Sequence, residues 1–526
     1  MASPNAVNRV EAPTTAKAYF LCAFAAFGGI LFGYDSGYIS GVLGMDYFKY
    51  QFGTPVSSDY DSASFYYNGK YYMYETWQKS LITSILSAGT FFGALFAGPF
   101  ADWIGRRTTI ILGCLVFTVG VVLQTASTTV GLLIAGRLIA GLGVGFVSAI
   151  IILYMAEIAP KAVRGSIVAG YAFAVTFGLL LASCVDYSTQ NRLDSGAYRI
   201  PIAIQFLWAL ILGIGLFFLP ESPRWYVKYG KLEKAAAALS TLRGQPVDSA
   251  YVTEELNELV ANYEHDARLM KSGWADCFTG GWKPSGNLRR VCVGVAMQMM
   301  QQWTGVNFIF YYGTTFFQQA NVPLSAFVIG IVTTAVDVVS TPVSLWTIER
   351  FGRRPLLLWG GIGMLVCEFI VAIVGTAAPD SLAAGYVLVV FVCVYIFFFA
   401  STWGPVSWVI IGEIFPLPIR AKGVGLSTAS NWFWNFVIGY VTPYMVDESS
   451  GNLGPKVFFV WGATCTLCVL FGYFFVPETK GLTLEQVNQM MEECTPRQSA
   501  NWKPHTTYAA DLGMQKVVVK EQVEEV

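Results

Sequence analysis

Long apolar segments separated by shorter polar ones run along almost the whole chain. A helix needs about 20 predominantly apolar residues to cross the hydrocarbon core of a bilayer. Segments of this kind cover residues 18–43, 81–101, 108–126, 130–156, 166–185 and 199–219, and then 291–317, 326–347, 355–376, 385–411, 423–445 and 456–476. The pattern therefore predicts an all-α membrane protein with 12 transmembrane helices embedded in a lipid bilayer.

The composition supports this prediction and argues against several other functions. Hydrophobic residues make up 54% of the 526 positions and charged residues only 13%, whereas soluble domains carry about 25% charged residues. The net charge of −1 gives no general attraction for nucleic acid. The cysteines lie mostly in apolar runs, where they act as small hydrophobic residues, and His265 and His505 are the only histidines. We therefore expect no enzymatic activity, no nucleic-acid partner, no metal and no cofactor.

The loops show a strong charge asymmetry that predicts the orientation. Lys and Arg concentrate in the loops that follow spans 2, 4, 6, 8 and 10, and are much rarer in the opposite loops. Because cytoplasmic loops carry the excess of Lys and Arg, those loops and both termini are predicted to be cytoplasmic. The predicted segments are an N-terminal tail (1–17), a six-helix bundle (18–219), a linker with short amphipathic helices (220–287), a second six-helix bundle (288–476) and a cytoplasmic tail (477–526).

Three motifs recur in the same order in the two halves, each at the cytoplasmic end of the equivalent span. They are Gly105-Arg106-Arg107 and Gly352-Arg353-Arg354; Glu157-Ile-Ala-Pro…Arg164 and Glu413-Ile-Phe-Pro…Arg420; and Pro220-Glu221-Ser and Pro477-Glu478-Thr. The chain is therefore predicted to consist of two six-helix halves in the same orientation. Parallel repeats of this kind place a substrate site between the halves near the middle of the membrane.

Five motifs carry a resemblance to a known family. They are Asp102-Trp-Ile-Gly-Arg-Arg107, Pro220-Glu-Ser-Pro-Arg-Trp225, Gln301-Gln-Trp-Thr-Gly-Val-Asn307, Glu349-Arg-Phe-Gly-Arg-Arg354 and Pro477-Glu-Thr-Lys-Gly481. With these motifs the chain resembles the major facilitator superfamily, and within it the sugar porter family, from about residue 18 to 484; segment 305–315 is similar to fungal hexose transporters. The resemblance implies alternating-access transport of a hexose, with glucose the first candidate, by a multi-pass protein of the plasma membrane that functions as a monomer.

Span 1 combines a glycine stripe with an acid. The glycines at 29, 33, 37 and 41 form one smooth face suited to close helix contact, and Asp35 faces away from it. In span 4, Arg137 lies within an apolar run, where an unpaired charge costs about 2.5–3.5 kcal/mol. Asp35 and Arg137 are therefore predicted to pair. The resemblance implies that this acid takes up a coupling proton and that the arginine tunes it; a permanent structural ion pair is the alternative.

A hexose is a neutral ring edged with hydroxyl groups, so its site needs amides, which both donate and accept hydrogen bonds, and aromatic faces. The candidate substrate-binding residues are Gln301, Gln302, Asn307, Tyr311, Gly404, Trp408, Asn431 and Trp432. Adjacent Gln301 and Gln302 diverge by about 100° around the helix and cannot point along one line. The alternative is that these buried amides only tie helices together.

Charged residues at the cytoplasmic helix ends form a candidate gate. They are Arg106, Arg107, Glu157, Arg164, Glu221, Glu349, Arg353, Arg354, Glu413, Arg420 and Glu478. Opposite charges across the two halves are expected to hold the inner side shut when the outer side is open. The alternative is that the arginines only anchor the topology.

Two positions depart from the family pattern. Ala172 occupies a place where the family usually has a sugar-contacting Gln, which predicts weak affinity, a shifted substrate or a receptor-like protein. Asp337 replaces a usual Asn and is either a second proton site or a structural residue. The same two alternatives apply to Glu368. Two alternative functions therefore stay open, a non-transporting glucose sensor and a proton-independent facilitator. The short tail after Pro477 favours transport over sensing.

Overall fold

The computed structural model describes residues 20–21, 24–56, 64–159, 164–269, 273–320, 322, 324–379, 381–447, 449–482 and 484–503. Within them the chain is predominantly helical. The helices of the N-terminal half are α1 (Gly28–Gly44), α2 (Asp46–Phe52), α3 (Thr76–Ile104), α4 (Arg106–Ala126), α5 (Val130–Ile158), α6 (Arg164–Thr189) and α7 (Gly196–Phe217). All but the short α2 correspond to the six predicted spans of this half.

The second half repeats this arrangement after a helical linker. The linker contains α8 (Pro223–Lys228), α9 (Leu232–Arg243), α10 (Ala250–Leu269) and a 3-10 turn (Ala275–Phe278). The later helices are α11 (Asn287–Trp303), α12 (Val306–Gln319), α13 (Ala326–Phe351), α14 (Arg353–Ala377), α15 (Leu382–Phe398), α16 (Gly404–Glu413), α17 (Arg420–Val446), α18 (Val457–Phe475) and α19 (Leu484–Glu493). Helices α11 with α12, and α15 with α16, each make one span, so this half also has six.

The described residues contain nine helices that are long and apolar enough to cross a membrane, by their length and composition alone. The remaining three spans differ for identifiable reasons. Helix α1 has 17 residues over the range Gly28–Gly44, α11 and α12 are two pieces of one span, and α17 carries several amide and hydroxyl side chains. The prediction of an all-α membrane protein with 12 transmembrane helices is confirmed.

A break divides the seventh span at Thr304 and Gly305. Gly305 has a φ of +84°, a conformation that residues with a Cβ rarely adopt. A Cβ at this position would also lie 2.8 Å from the Trp461 side chain. The break therefore depends on glycine, and it frees backbone and amide groups in the middle of the span.

Glycines bring the helices of the N-terminal half into close contact, as their spacing predicts. A Cβ at Gly29 would meet the Tyr171 carbonyl oxygen at 2.7 Å, and a Cβ at Gly37 would meet Leu179 at 3.1 Å. The stripe on α1 therefore packs against the backbone of α6. Since even one methyl group would separate these helices, the stripe fixes how α1 is rotated in the bundle.

A small antiparallel sheet lies between α2 and α3 and was not predicted from the sequence. Its strands β1 (Thr54–Val56), β2 (Phe65–Tyr67) and β3 (Lys70–Met73) have the order β1-β3-β2. Asn68 and Gly69 join β2 to β3 with φ angles of 49° and 82°, which is the pattern of an Asn-Gly hairpin turn. We call this end of the molecule the sheet end, and the end that carries α8–α10 the linker end.

The two halves meet closely towards the sheet end. Helix α1 contacts α12, α3 contacts α17, and α6 contacts α13. The Ser40 hydroxyl donates to Thr314 at 3.2 Å, and Lys79 Nζ lies 2.6 Å from the Asp447 carboxylate. These contacts close the halves against each other at the sheet end. We refer to them as the sheet-end gate.

Candidate functional site

The break in the seventh span places one group of amides against the tenth and eleventh spans. Gln301 Nε2 donates to the Gly404 carbonyl oxygen at 2.7 Å and to that of Trp403 at 3.3 Å. Asn431 Nδ2 in turn donates to the side-chain oxygens of Gln301 and Gln298, at 2.8 and 2.7 Å. All three amide side chains are buried. The group therefore joins α11, the start of α16 and the middle of α17.

A second group of polar side chains connects the two halves of the molecule. Asn307 donates to Gln302 Oε1, and Asn435 Nδ2 reaches the same oxygen at 3.3 Å. Asn435 Oδ1 accepts from the Tyr311 hydroxyl at 2.9 Å and from Ser87 of the N-terminal half at 2.6 Å. The predicted divergence of Gln301 and Gln302 is thus observed, because each belongs to a different group. We call the two groups together the amide cluster.

Sequence reasoning did not assign Gln298 and Ser87 to the site. Gln298 lies three residues before Gln301 on α11, which is one helical turn, and its amide nitrogen is buried with no hydrogen-bond partner in the described part of the chain. The helical spacing was therefore a usable signal for Gln298. Ser87 joins the site through a contact between halves, which sequence spacing does not report.

The three remaining candidates have different surroundings. Gly404 contributes its carbonyl oxygen, where a π-helical turn over Phe399–Trp403 precedes α16. The Trp432 ring meets Phe32 of α1 edge to face, with ring centroids 5.6 Å apart. Trp408 follows on α16 with 40% of its surface exposed. Trp432, which follows Asn431 in the chain, therefore adds an aromatic contact between the halves, whereas no hydrogen bond or ring contact among the described residues ties Trp408 to the amide cluster.

The expected ion pair between Asp35 and Arg137 is not formed in this structure, which corrects the prediction. Arg137 Nη1 instead donates to the Tyr38 hydroxyl at 2.5 Å, and that hydroxyl donates to Gln124 Oε1 at 2.7 Å. Tyr38 lies one helical turn beyond Asp35, and its ring reaches the guanidinium first, at 5.5 Å from the centroid. Both Asp35 carboxylate oxygens are buried, and no described residue forms a hydrogen bond with them. The two charged residues therefore lie in one polar core, where Arg137 has the Tyr38 hydroxyl as its partner and the Asp35 carboxylate forms no hydrogen bond with the described residues.

At the linker end of the first half, an acid closes the turn between α3 and α4. The Glu221 carboxylate accepts the backbone N–H groups of Arg106 at 2.9 Å and Arg107 at 3.1 Å. Gly105 has a φ of +103°, and a Cβ there would collide with the same carboxylate. Arg106 Nε lies 3.3 Å from Glu157. The motif residues therefore join α3, α4, α5 and the start of the linker.

The second half repeats this geometry. The Glu478 carboxylate accepts from the backbone N–H groups of Arg353 and Arg354, each at 3.0 Å. Gly352 has a φ of +92°, and Arg353 Nη2 lies 2.8 Å from Glu413. The duplication seen in the sequence is thus a duplication of three-dimensional contacts.

These pairs do not bridge the two halves in this structure. The described ion pairs of Arg106 and Arg353 lie within one half each, whereas pairing across the halves was predicted for the state in which the outer side is open. Because the halves are closed against each other at the sheet end, which is the end predicted to face outside, the cytoplasmic gate stays a prediction. Arg420 Nε donates to the Phe415 carbonyl oxygen at 3.1 Å and Glu349 is exposed, while the side chain of Arg164 lies outside the described residues.

The departures from the family pattern occupy distinct places. Ala172 is half-buried and offers no hydrogen-bonding side chain. Asp337 on α13 is 5% exposed, and its backbone oxygen accepts from Thr341 at 2.8 Å. Glu368 on α14 is 2% exposed, and its Oε2 atom has no hydrogen-bond partner among the described residues. For Asp337 and Glu368 alike, a role as a second proton site and a structural role both stay predictions.

The described residues contain no group of three or more His, Cys, Asp or Glu side chains that could hold a metal ion. His505 and the side chain of His265 lie outside them. Cys465 and Cys468 are buried free thiols inside α18. What the site offers is therefore neutral hydrogen bonding and aromatic surface, which suits a neutral polar ligand.

Comparison with known proteins agrees with this geometry. Residues 21–491 match the family described as "Sugar (and other) transporter". The chain is 43% identical to the probable glucose transporter rco-3 of Neurospora crassa, with 91% of this chain and 80% of that protein covered. It is 40% identical to the high glucose sensor RGT2 of Saccharomyces cerevisiae, with 89% of this chain and 60% of the sensor covered.

A solved structure shows the same fold. The xylose transporter XylE from E. coli in its inward open conformation aligns with a TM-score of 0.72 at 25% identity, covering 90% of this chain and 99% of XylE. This match confirms the major facilitator fold with two six-helix halves. The family match also confirms the expectation of a transporter and not an enzyme. With 471 consecutive positions, residues 21–491, matched to its family model, the chain belongs to the sugar transporter family.

Proposed function

We propose that this protein transports a hexose, with glucose as the first candidate, across the plasma membrane by alternating access. The observation that carries the proposal is the amide cluster at the break of the seventh span. There, Gln302 and Asn435 of the second half meet Ser87 of the first. A neutral ring with hydroxyl groups needs donors and acceptors in close alternation, which amides supply. A bound sugar would replace some of these amide–amide hydrogen bonds with its own.

The orientation follows from the loop charges. We assign the linker end and both termini to the cytoplasm and the sheet end to the outside, because the Lys and Arg excess lies in the linker-end loops. The contacts of the sheet-end gate then close the molecule towards the outside. One chain provides both halves of the site, so a monomer suffices for transport.

Asp35 supports coupling to protons. Its carboxylate is fully buried and accepts no hydrogen bond from the described residues, although Arg137 lies in the same polar core. An acid in that position favours its neutral form, because an ionised carboxylate in a low-dielectric environment needs a partner. No bound cofactor is needed in this mechanism, since the proton itself is the coupling ion.

Radiolabelled glucose uptake in a yeast strain that lacks its own hexose transporters tests the proposal. We expect uptake by the intact chain that falls when a protonophore collapses the proton gradient, and a protonophore-insensitive residual rate for Asp35→Asn. Asp194→Asn is the matched control, because Asp194 is exposed and pairs with Arg192 at 2.7 Å in a loop. A glucose uptake rate that does not change with the protonophore would contradict proton symport and indicate facilitated diffusion.

Ala172 favours one second candidate, a glucose sensor that does not transport. This position lacks the hydrogen-bonding side chain expected from the family pattern, and a relative of 40% identity is named a glucose sensor. The uptake experiment separates the two functions. Surface-expressed protein without glucose uptake, together with glucose-dependent signalling, would support the sensor.

A further inference from the structure

The sheet-end gate contains a buried acid that no part of the proposed mechanism uses. Asp186 lies near the end of α6 and is 2% exposed. Its carboxylate packs directly against Gly41 of the α1 glycine stripe. Its Oδ1 atom is buried and has no hydrogen-bond partner within the described part of the chain. An acid is therefore buried, without a compensating donor at one oxygen, where the two halves meet.

A small cavity between the halves adjoins this carboxylate. Besides Asp186 it is lined by Ser40 of α1, Ser183 of α6, Thr314 of α12 and Thr334 of α13. The volume of the cavity is about 30 Å³, which is enough for about one water molecule. The Thr334 hydroxyl donates to Ser183 at 3.4 Å. The cavity therefore joins four spans, two from each half, and its polar surface consists of hydroxyl groups and one carboxyl group.

The groups that face Asp186 provide no positive charge. Tyr34 of α1 lies nearby, but its hydroxyl donates to the Pro201 carbonyl oxygen at 3.0 Å. Helix α7, which packs against α6, carries Tyr198 and Arg199; the Tyr198 hydroxyl donates to the Ser127 carbonyl oxygen at 3.0 Å, the Arg199 guanidinium lies over the Tyr198 ring, and no ion pair joins Arg199 to Asp186 among the described residues. The residues that line the cavity from α12 and α13 include no titratable side chain. An acid in such a place favours its neutral form, because an ionised carboxylate would be buried without a compensating charge.

We infer that Asp186 is a proton-binding site of the sheet-end gate, protonated when the halves are closed there and ionised when they part. Opening the contacts of α6 with α13 and of α1 with α12 would admit water to the carboxylate and stabilise its charge. Protonation therefore favours the closed gate, and an acidic outside solution shifts the population towards it. Because Asp186 lies at the sheet end, the proton returns to the outside when the gate opens and is not carried across.

This inference rests on the proposed alternating access but not on the identity of the sugar. It adds a second acid to the pH response, distinct from Asp35 in the core of the first half. Asp35 would couple the proton to transport, whereas Asp186 would set how readily the outer side opens at a given external pH.

Cysteine accessibility tests the inference without sugar. Thr333 lines the cavity and is 5% exposed, and its hydroxyl donates only to Gly330 of its own helix among the described residues. In Thr333→Cys, a membrane-impermeant thiol reagent can react only when the gate opens. Labelling is measured on whole cells across external pH, against the chain without this substitution. It is normalised to Asn191→Cys, at an exposed position of the loop between α6 and α7, to remove the reagent's own pH dependence.

We expect normalised labelling of Thr333→Cys to fall as the external pH falls, by at most about tenfold per pH unit for one proton. Adding Asp186→Asn, which mimics the protonated acid, should give low labelling that does not change with pH. Asp186→Ser, which cannot titrate either, should also lose the pH dependence and serves if the Asn variant does not reach the surface. Asp194→Asn should keep the dependence, since hydrogen bonds from Arg192 lower the pKa of Asp194 and hold it ionised.

Each other outcome overturns a defined part of this account. If labelling still depends on pH in both Asp186 variants, or if labelling of Thr333→Cys alone does not change with pH, Asp186 does not have the proposed role. Either result leaves the proposed transport intact. Absence of labelling at every pH overturns both, because the gate would never open. Absence of sugar uptake with pH-dependent labelling overturns only the proposed substrate.

Discussion

At the scale of single residues, the amide cluster decides whether this chain binds a sugar or only fastens helices. Asn431 is the most informative member, because its Nδ2 atom donates to both Gln298 and Gln301. If the side chain also contacts the sugar, its removal weakens binding. If it serves only as an interhelical tie, its removal changes stability and leaves the apparent affinity unaltered.

We predict that Asn431→Ala raises the KM for hexose uptake roughly 5–150-fold, since the loss of two hydrogen bonds to the sugar at about 0.5–1.5 kcal/mol each amounts to about 1–3 kcal/mol. Uptake kinetics at matched surface expression provide the measurement. Thr442→Ala is the control on the same helix, because the Thr442 hydroxyl donates only to Ile438 one turn away among the described residues. Equal KM values for both variants would mean that Asn431 only ties helices.

Residue patterns predicted the amides of the site but not the partner of Arg137. Gln301, Gln302, Asn307 and Asn431 were predicted from their chemistry and their family positions, and the structure joins them as two pairs, Gln301 with Asn431 and Gln302 with Asn307. The partner of Arg137 was not predictable, because the choice between Asp35 and a tyrosine hydroxyl depends on where a long side chain ends. Charge balance suggested the acid, whereas ring geometry placed the Tyr38 hydroxyl closer.

At the scale of elements, the points where helices are interrupted were harder to predict than the helices themselves. Apolar length predicted the spans well, since burial in lipid requires it. It gave no sign of the three-stranded sheet, whose strands have three or four residues each. The turn at Asn68-Gly69 was the only local signal. The break at Gly305 was not predicted, since residues 291–317 have the pattern of one continuous span. The motif Gln301–Asn307 marks its position, and the positive φ of Gly305 explains why the motif contains glycine.

We predict that Gly305→Ala lowers the thermal inactivation temperature of the detergent-solubilised protein and reduces uptake. The left-handed backbone costs an L residue about 1–2 kcal/mol, and the added methyl group would press on Trp461. Gly425→Ala in α17 is the matched control, because nothing lies within 4 Å of its new Cβ and its φ is not positive. That variant should keep or raise the inactivation temperature. Equal losses in both would refute a special role for the Gly305 backbone.

At the scale of the whole molecule, the contacts within halves and between halves have different tasks. The arginine–glutamate pairs of the linker end each hold one half together, and their duplication makes the halves similar rigid units. The contacts between halves include the Lys79–Asp447 pair, whose side chains are only 9% and 12% exposed. Sequence repeats predicted that the linker-end contacts are duplicated, because each half contains its own copy, although the charges were expected to pair across the halves. They could not predict the second, because a contact between halves has no counterpart in the repeat.

The Lys79–Asp447 pair should therefore bias the conformational equilibrium. In the closed state the pair is shielded from water, and Lys79→Met would leave the Asp447 carboxylate without its cation. In the open state that carboxylate is hydrated, so the substitution penalises closure by about 1–3 kcal/mol, a shift of roughly 5–150-fold. We predict a rise of that order in the labelling of Thr333→Cys from outside. The double exchange Lys79→Asp with Asp447→Lys should restore low labelling, whereas Arg192→Gln, which breaks an exposed pair within one loop, should not change it. Unchanged labelling in Lys79→Met would show that the apolar and hydroxyl contacts of the gate hold the halves closed without this ion pair.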